Sequence, residues 1–176
     1  MSILRESLSD SIRHDRSLGV LTNESDVPKG GMSYLQGETT QPLSYITIPQ
    51  LLRETVARFG PRDAVIFGQS KKRYSYYDLD RDVDALASGF LALGLDKGDR
   101  VGIWAPNRYE WVLTQFASAR VGLVMVNINP AYRLSEVEYV LKKVRCKSLI
   151  LANKFKSSNY IEMIQQLVPE LESCDP

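Results

Sequence analysis

The pattern of apolar and polar positions is clearest between Gly98 and Pro130, where it predicts one βαβ unit. Residues 101–104 form an apolar run without alternation, as expected for a strand buried on both faces. A second such run follows at 123–126. Between them apolar residues recur at helical spacing, and Gly122 stands where a left-handed residue would end the helix. Such a crossover makes the two strands parallel and the connection right-handed.

Two helix starts in this half of the chain carry capping-box patterns. Asn107 and Glu110 open the helix of the βαβ unit, and Ser135 and Glu138 stand at the same spacing before the next helix. These residue types predict reciprocal hydrogen bonds between side chain and backbone at each helix amino terminus. The second helix leads to another apolar run at 148–151, which is predicted to be a third parallel strand.

Before the βαβ unit, the pattern predicts a helix, a β-hairpin and a second helix, in that order. A proline in the first turn and a Gly-Pro pair at the end bound the first helix. A serine followed three residues later by an aspartate caps the second helix. These elements are a helix that begins near Pro49 and ends at Gly60, strands at 64–67 and 73–75, and a helix from Ser75 to Gly94.

Strands and helices alternate from Val101 onward, which is typical of an open α/β sheet. A last amphipathic helix spans 160–168, and Pro169 ends it. The predicted fold class is therefore α/β, with an open, mostly parallel sheet and flanking helices. The next strand is expected just where the sequence stops, at Pro176, so we expect the sequence to be incomplete.

Residues 1–45 differ in pattern from residues 46–176, and we interpret them as a flexible N-terminal arm before the folded subdomain. Apolar positions in the arm are few, and residues 28–31 form a Pro-Lys-Gly-Gly turn. The apolar spacing near the start allows a short amphipathic helix. A mitochondrial presequence should be rich in Arg and poor in acids, whereas this arm is acidic, so an arm lying on the body is the favoured interpretation.

Composition narrows the classes of function. The 176 residues carry 22 Lys and Arg against 21 Asp and Glu, and the net charge of +1 favours neither nucleic acid nor an acidic partner. Cys146 and Cys174 form no CxxC motif, which favours a reducing compartment. Since no apolar run approaches the roughly 20 residues that span a bilayer, we predict no transmembrane segment.

Motifs for nucleophilic or metal chemistry are missing from the sequence. His14 is the single histidine and lies in the arm, so the body can assemble neither a Ser-His-Asp triad nor a histidine metal site. Gly89 and Gly94 have the Walker spacing but no Lys-Ser/Thr follows, which indicates a chance match. Four aspartates of the second helix scatter over its faces and predict a solvated surface: Asp78, Asp80, Asp82 and Asp84.

The best candidate for a ligand site is the predicted carboxyl edge of the parallel strands, where open α/β sheets usually bind ligands. A structural role competes at each position, since Asn107 would cap a helix, Trp104 would lie in the core and Trp111 would pack helix against sheet. For Asn129-Pro130 the favoured interpretation is a turn, and a ligand contact is the second choice. The residues gathered at this edge are Trp104, Asn107, Tyr109, Trp111, Asn127, Asn129, Pro130 and Tyr132.

Several of these residues belong to a set that resembles the start of an AMP-forming acyl-CoA synthetase, within the adenylate-forming superfamily. The resemblance covers about residues 46–174, and residues 126–147 most resemble the medium-chain acyl-CoA ligase branch. The motifs that carry it are Tyr74–Leu79, Leu93–Leu95, Gly98–Val101, Pro106-Asn107, Trp111, Ala119, Gly122, Asn129–Tyr132 and Glu136–Leu141.

This resemblance implies a two-step ligase. A fatty carboxylate attacks the α-phosphate of ATP to give acyl-AMP and pyrophosphate, and the thiol of coenzyme A then takes the acyl group. Mg²⁺ and cationic donors would offset charge on the phosphates. The family supplies them from a Gly-rich phosphate loop, later adenine and ribose motifs and a C-terminal lysine, none of which occurs here. The resemblance therefore assigns no catalytic, cofactor-binding or metal residue to this chain.

Two functions of different class stay open from the sequence. The chain is either the N-terminal portion of a fatty acid–CoA ligase, inactive alone, or a non-catalytic truncated α/β binding or interaction module. In the second case an unpaired sheet edge should promote association. The resemblance implies a mitochondrial matrix location, with the cytoplasm as the alternative. A dehydrogenase-like nucleotide binder is disfavoured because the sequence has no GxGxxG fingerprint.

Overall fold

The computed structural model describes residue 40 and residues 42–68 and 70–173, and the described residues from Tyr45 onward form one compact unit. The predicted features of the arm, including His14, lie outside the described residues, as does Cys174. The elements are helix α1 (Ile48–Phe59), strands β1 (Asp63–Phe67) and β2 (Lys72–Ser75), helix α2 (Tyr76–Ala92), strand β3 (Arg100–Trp104), helix α3 (Tyr109–Val121), strand β4 (Val124–Ile128), helix α4 (Leu134–Val144), strands β5 (Ser148–Leu151), β6 (Lys154–Phe155) and β7 (Ser158–Asn159), helix α5 (Tyr160–Leu167) and a 3₁₀ turn (Pro169–Glu172).

The centre of the unit is a three-stranded parallel sheet in the order β4-β3-β5. Strand β3 pairs with both neighbours, so that Val101 lies beside Met125 of β4 and Ser148 of β5. Strands β1 and β2 form a separate antiparallel hairpin, and β6 and β7 form a smaller one. The predicted α/β class, with a parallel sheet and flanking helices, is confirmed.

Buried side chains form two clusters, and both include residues of β3. One joins Val101 to α2 and α3, and the other joins Trp104 to α4 and α5. Burying a large apolar side chain stabilises the fold by about 1.5–3 kcal/mol, so these clusters fix the helices against the sheet. Gly102 has a packing reason, because an added Cβ would lie 3.0 Å from Leu149 Cδ1 and 3.1 Å from Cys146 Sγ.

Helix ends follow the sequence in part. The box predicted at α2 is confirmed, since Ser75 N–H donates to the Asp78 carboxylate (3.0 Å) and Asp78 N–H donates to Ser75 Oγ (3.1 Å). The Ser75 hydroxyl, which donates to the same carboxylate at 2.6 Å, and the Ser75 N–H lower the pKa of Asp78. Gly122 ends α3 in the left-handed conformation, with φ of 76°, as predicted. The sequence interpretation missed the capping box of α1, which Thr47 forms with Gln50.

Two predicted helix caps are wrong. Helix α3 begins after Arg108, whose extended backbone precedes Tyr109, while Asn107 lies exposed one residue too early. Helix α4 begins after Arg133, whose N–H donates to the Glu136 carboxylate at 2.7 Å. The Asn129-Pro130 turn already closes at residue 132, so α4 starts earlier than the Ser135–Glu138 pattern indicates.

The aspartates of α2 connect this helix to α3. Arg120 forms ion pairs with Asp80, at 2.6 Å, and with Asp84. Tyr109 donates from its hydroxyl to Asp82 at 3.1 Å. The predicted solvated surface is therefore wrong for Asp80 and Asp82, whose side chains are each 28% exposed, and right for Asp84, which is 65% exposed. The helix pattern could not show that a basic residue lies opposite, on α3.

Within the described ranges, no helix combines the length and the apolar composition that a membrane crossing requires.

Candidate functional site

The carboxyl ends of the three parallel strands lie at one edge of the sheet. Strand β3 ends at Trp104, β4 at Ile128 and β5 at Leu151. Three loops leave this edge, and residues of those loops line the two recesses described below. Because ligands of open α/β sheets bind beyond the carboxyl ends of the strands, this edge is the candidate functional site.

Aromatic side chains hold the loop that follows β4. Trp104 is fully buried and stacks on Tyr160, with ring centroids 3.7 Å apart. Its Nε1–H donates to the carbonyl of Asn129 at 3.1 Å, and the Tyr160 hydroxyl donates to the carbonyl of Pro130. Burial raises the pKa of Tyr160. The structural role predicted for Trp104 is confirmed, and its polar atom positions the neighbouring loop.

A second pair of aromatic residues fixes the start of α3. Trp111 donates from Nε1–H to the Ala105 carbonyl at 2.8 Å, which ties the helix to the loop after β3. Tyr109 stacks on Tyr74 of the first hairpin, with ring centroids 3.7 Å apart. Burial, together with the neighbouring Asp82 carboxylate, raises the pKa of Tyr109. Both rings therefore have structural roles, as the sequence favoured for Trp111.

The turn predicted at Asn129-Pro130 is confirmed, because Asn129 Oδ1 accepts a hydrogen bond from Ala131 N–H at 2.9 Å. Asn127 is exposed on β4, away from both recesses of the edge. Tyr132 lines a separate small cavity with Tyr139 of α4. The structure thus brings together only part of the predicted group.

One recess at this edge, the loop recess, has a volume of about 590 Å³. Asn107 and Pro130 line it, as the sequence suggested for a pocket. The other lining residues come from the two hairpins and were missed, because no pattern in the sequence places hairpin tips beside the sheet edge. The hairpins contribute Phe67, Gly68, Ser70 and Phe155, and the loop after β3 also contributes Pro106.

A second recess, the switch-point crevice, lies between the ends of β3 and β5 and has a volume of about 340 Å³. The chain runs from β3 to β4 on one side and then returns across β3 to reach β5 on the other. Connections that leave neighbouring strands in opposite directions open a crevice between their loops. Its polar lining residues, all missed by the sequence interpretation, are Arg108, Glu110, Asn153 and Lys154.

The electrostatics of the crevice centre on one ion pair and one further cation. Arg108 donates to Glu110 from Nε (3.1 Å) and from Nη2 (2.7 Å). The guanidinium lowers the pKa of Glu110, and the carboxylate raises that of Arg108. Lys154 is exposed at the rim. Two cationic groups therefore face one carboxylate in this crevice.

Metal ligands and a phosphate loop are not assigned to this chain. Among the residues that the structure describes, no group of three or more His, Cys, Asp or Glu side chains could hold a metal ion. These residues therefore offer no carboxylate cluster for Mg²⁺. Gly89 lies inside α2 and Gly94 follows that helix with φ of 74°, so their spacing builds no phosphate loop.

The model of the AMP-binding enzyme family matches residues 52–175. The chain belongs to this family. It is 44% identical to the mitochondrial medium-chain acyl-CoA ligase ACSF2 of Danio rerio over 154 residues, which are 88% of this chain and 25% of that protein. Its identity to human mitochondrial ACSF2 is 42% over 179 residues, which cover 98% of this chain and 29% of the human protein. The chain thus spans between a quarter and a third of the length of these relatives.

Solved structures of the family share the fold. The inhibitor-bound N-terminal domain of FACL13 from Mycobacterium tuberculosis superposes with a TM-score of 0.63 and 25% identity, over 69% of this chain and 29% of that one. The resemblance to AMP-forming acyl-CoA synthetases, with medium-chain ligases among the relatives, is confirmed by these matches.

Proposed function

We propose that this chain is the amino-terminal portion of a fatty acid–CoA ligase. In the ligase, a medium-chain fatty carboxylate would attack the α-phosphate of ATP to give acyl-AMP and pyrophosphate, and the thiol of coenzyme A would then take the acyl group and release AMP. The observation that carries the proposal is the identity of 42–44% to medium-chain acyl-CoA ligases over 88–98% of the chain. The share of those relatives that the chain covers, 25–29%, supports a portion of the enzyme.

In this proposal, residues 1–176 help to position groups around the reacting centre of the complete ligase. Its parallel sheet carries loops that the aromatic contacts of Trp104, Trp111 and Tyr160 hold in place. Precise placement of groups around a reacting centre accounts for a large part of catalysis in phosphoryl chemistry. In the complete ligase, Mg²⁺ would offset phosphate charge during adenylation. We further propose a mitochondrial matrix location, because the ACSF2 relatives are named mitochondrial.

The experiment that tests the function measures pyrophosphate release with ATP, Mg²⁺, coenzyme A and octanoate. Residues 1–176 are compared with a chain extended to the end of its gene, and with Danio rerio ACSF2 in which this chain replaces the matching segment. We expect pyrophosphate and octanoyl-CoA from the two long proteins and neither product from residues 1–176. Acetate and palmitate serve as short and long comparison substrates for chain-length preference.

Two outcomes would contradict the proposal. Activity of residues 1–176 alone would show that the chemistry does not need further segments. Inactivity of both long proteins, although circular dichroism shows them folded, would favour the non-catalytic module instead. A preference for acetate or palmitate over octanoate would overturn the medium-chain assignment alone.

A further inference from the structure

We propose that the switch-point crevice is a phosphate-binding subsite in which Arg108 and Lys154 bind a phosphate group of ATP or of coenzyme A. This inference rests on the proposed ligase function, because both substrates of that reaction carry phosphate groups. It adds a site within residues 1–176, whereas the resemblance assigned none to them. The crevice, its charges and its position in the sheet carry the inference together.

The position of the crevice follows from the strand order β4-β3-β5. The loop after β3 leads into α3, and the chain after β5 continues through the β6–β7 hairpin into α5, which packs on α4. The crevice lies between these two segments at the carboxyl edge. Ile103 and Ala105 of the β3 side and Ala152 of the β5 side line it. A volume of about 340 Å³ lies at the low end for ligand pockets, which suits a charged group rather than a whole nucleotide.

The guanidinium of Arg108 has a donor left for a second anion. Its Nε and Nη2 donate to Glu110, and Nη1 has no hydrogen-bond partner among the residues that the structure describes. A guanidinium presents five N–H donors in a fixed plane, so one carboxylate leaves donors for a phosphate oxygen. Glu110 therefore holds the side chain at the crevice and leaves part of it available.

The charge of Lys154 is not used in an ion pair within the described part of the chain. Its backbone pairs with Asn159 in the β6–β7 hairpin, which fixes the base of the side chain. No described residue forms an ion pair with its ammonium group, whereas Lys142 pairs with Glu138 and Lys147 pairs with Asp99. An unpaired lysine at the rim of a built crevice is a suitable ligand for a phosphate group.

Asn153 adds a neutral donor beside Lys154. Its carbonyl accepts a hydrogen bond from Tyr160 N–H at 3.0 Å, which holds the turn, and its side-chain amide has no partner among the described residues. With Arg108 and Lys154 set against Glu110, the crevice carries a net charge of +1. Phosphate, which bears up to two negative charges and accepts several hydrogen bonds, matches this arrangement better than a fatty carboxylate does.

The first experiment measures binding to the 176-residue chain by isothermal titration calorimetry. The probes are coenzyme A, 3′-dephospho-coenzyme A, ATP and inorganic phosphate, and the variants are Arg108→Gln and Lys154→Gln. Lys143→Gln is the matched control, because Lys143 is an exposed lysine of α4 outside the crevice. We expect each crevice variant to weaken binding roughly threefold to tenfold, and the control to bind as wild type.

The probes distinguish the two sources of phosphate. Weaker binding of 3′-dephospho-coenzyme A than of coenzyme A assigns the crevice to the 3′-phosphate, and selective loss of ATP binding in the variants assigns it to ATP. If the wild-type chain binds no probe, or if all four proteins bind equally, the subsite is overturned. Circular dichroism melting shows whether Arg108→Gln still folds. If it does not, Lys154→Gln alone decides the outcome.

The second experiment places the same variants in the extended ligase. We expect KM for ATP or for coenzyme A to rise roughly threefold to tenfold, with kcat within about twofold of wild type. An active ligase with unchanged KM values in both variants overturns the crevice and leaves the ligase function standing. An inactive wild-type ligase overturns the proposed function, and the binding measurements then judge the crevice separately.

Discussion

The two edges of the parallel sheet use their polar side chains differently. At the amino edge, charged groups are bound to the protein itself: Arg100 donates to three backbone carbonyls, and Lys147 pairs with Asp99 at 2.6 Å. At the carboxyl edge, neutral aromatic N–H and O–H groups hold the loops, and the charge of Lys154 stays free among the described residues. The described charges of the amino edge are therefore bound within the protein, whereas at the carboxyl edge Arg108 pairs with Glu110 and Lys154 has no ion-pair partner among the described residues.

The amino edge shows how a short charged motif can be structural. Arg100 reaches the carbonyls of Val144 and Arg145, each at 2.7 Å, where α4 ends. Cations are favoured at this end of a helix, which carries partial negative charge. Asp99 also accepts from Asp96 N–H at 2.7 Å. The residues that the sequence offered as part of a family motif therefore fix α4 and β5 beside β3.

The largest effect is expected from Trp104→Ala at the carboxyl edge. The variant removes a fully buried ring, its stack on Tyr160 and its bond to the Asn129 carbonyl, so we expect a loss of about 3–5 kcal/mol in the free energy of unfolding. Urea unfolding followed by circular dichroism measures it. Trp104→Phe keeps an aromatic ring and should lose less. A cost below about 1 kcal/mol for the alanine variant would contradict the structural role.

Arg100→Gln should have the next largest effect, at the amino edge. It removes three hydrogen bonds to carbonyls of the loop before β3 and the end of α4, and we expect a loss of about 1–3 kcal/mol in unfolding free energy. Arg100→Lys retains the charge but not the planar fork, so it should recover only part of this. Complete recovery with lysine would show that charge alone matters here. Urea unfolding of wild type, Arg100→Gln and Arg100→Lys measures these differences in unfolding free energy.

Gly122→Ala should cost about 1 kcal/mol, because Gly122 has φ of 76°, where a Cβ is strained. The added Cβ would also meet Lys97 Cγ at 2.9 Å, in the aliphatic stem of that side chain. Gly89→Ala is the control, since Gly89 lies inside α2 and a Cβ there meets nothing within 4 Å. The control should be neutral or stabilising. Equal losses in both variants would contradict the left-handed requirement at Gly122.

Asp99→Asn should produce the smallest effect, and one that depends on pH. The Lys147 ammonium and the Asp96 N–H lower the pKa of Asp99 below its ordinary value of 3.8. The stabilisation is therefore present above the pKa of the unfolded chain and is lost as pH falls through the lower pKa of the folded state. We expect a gap in melting temperature between wild type and variant at pH 7 that closes below about pH 4. A gap that stays constant with pH would exclude this ion pair as its cause.

Apolar periodicity and single glycines predicted those strands and helix ends that depend only on neighbouring residues in the sequence. The apolar runs at 101–104 and 148–151 are strands, and Gly122 ends α3 as predicted. The predictions at Asn107 and at Ser135 are wrong because neighbouring contacts select the helix start. Trp111 is tied to Ala105, and Arg133 N–H donates to Glu136. A capping pattern shows which residues can cap and does not show which of two adjacent starts the fold uses.

The residues of the candidate site were harder to predict from the sequence, because they depend on the order of the strands in the sheet. Trp104, Asn129 and Pro130 were placed correctly at the carboxyl edge, because that edge follows from the strand pattern. Arg108 and Lys154 lie far apart in sequence, and they line the same crevice because β5 pairs with β3 and not with β4. Strand order cannot be read from periodicity. The crevice therefore becomes visible only once the sheet is assembled.

The most direct test of this difference between the two edges, structural at one and ligand-binding at the other, compares one lysine from each edge in the extended ligase. Lys147→Gln and Lys154→Gln remove the same charge, and both unfolding free energy and KM for each substrate are measured. We predict that Lys147→Gln lowers stability and leaves KM unchanged, because Lys147 pairs with Asp99, whereas Lys154→Gln raises KM for ATP or coenzyme A and leaves stability unchanged. The reverse pattern, or the same pattern in both variants, would contradict the account.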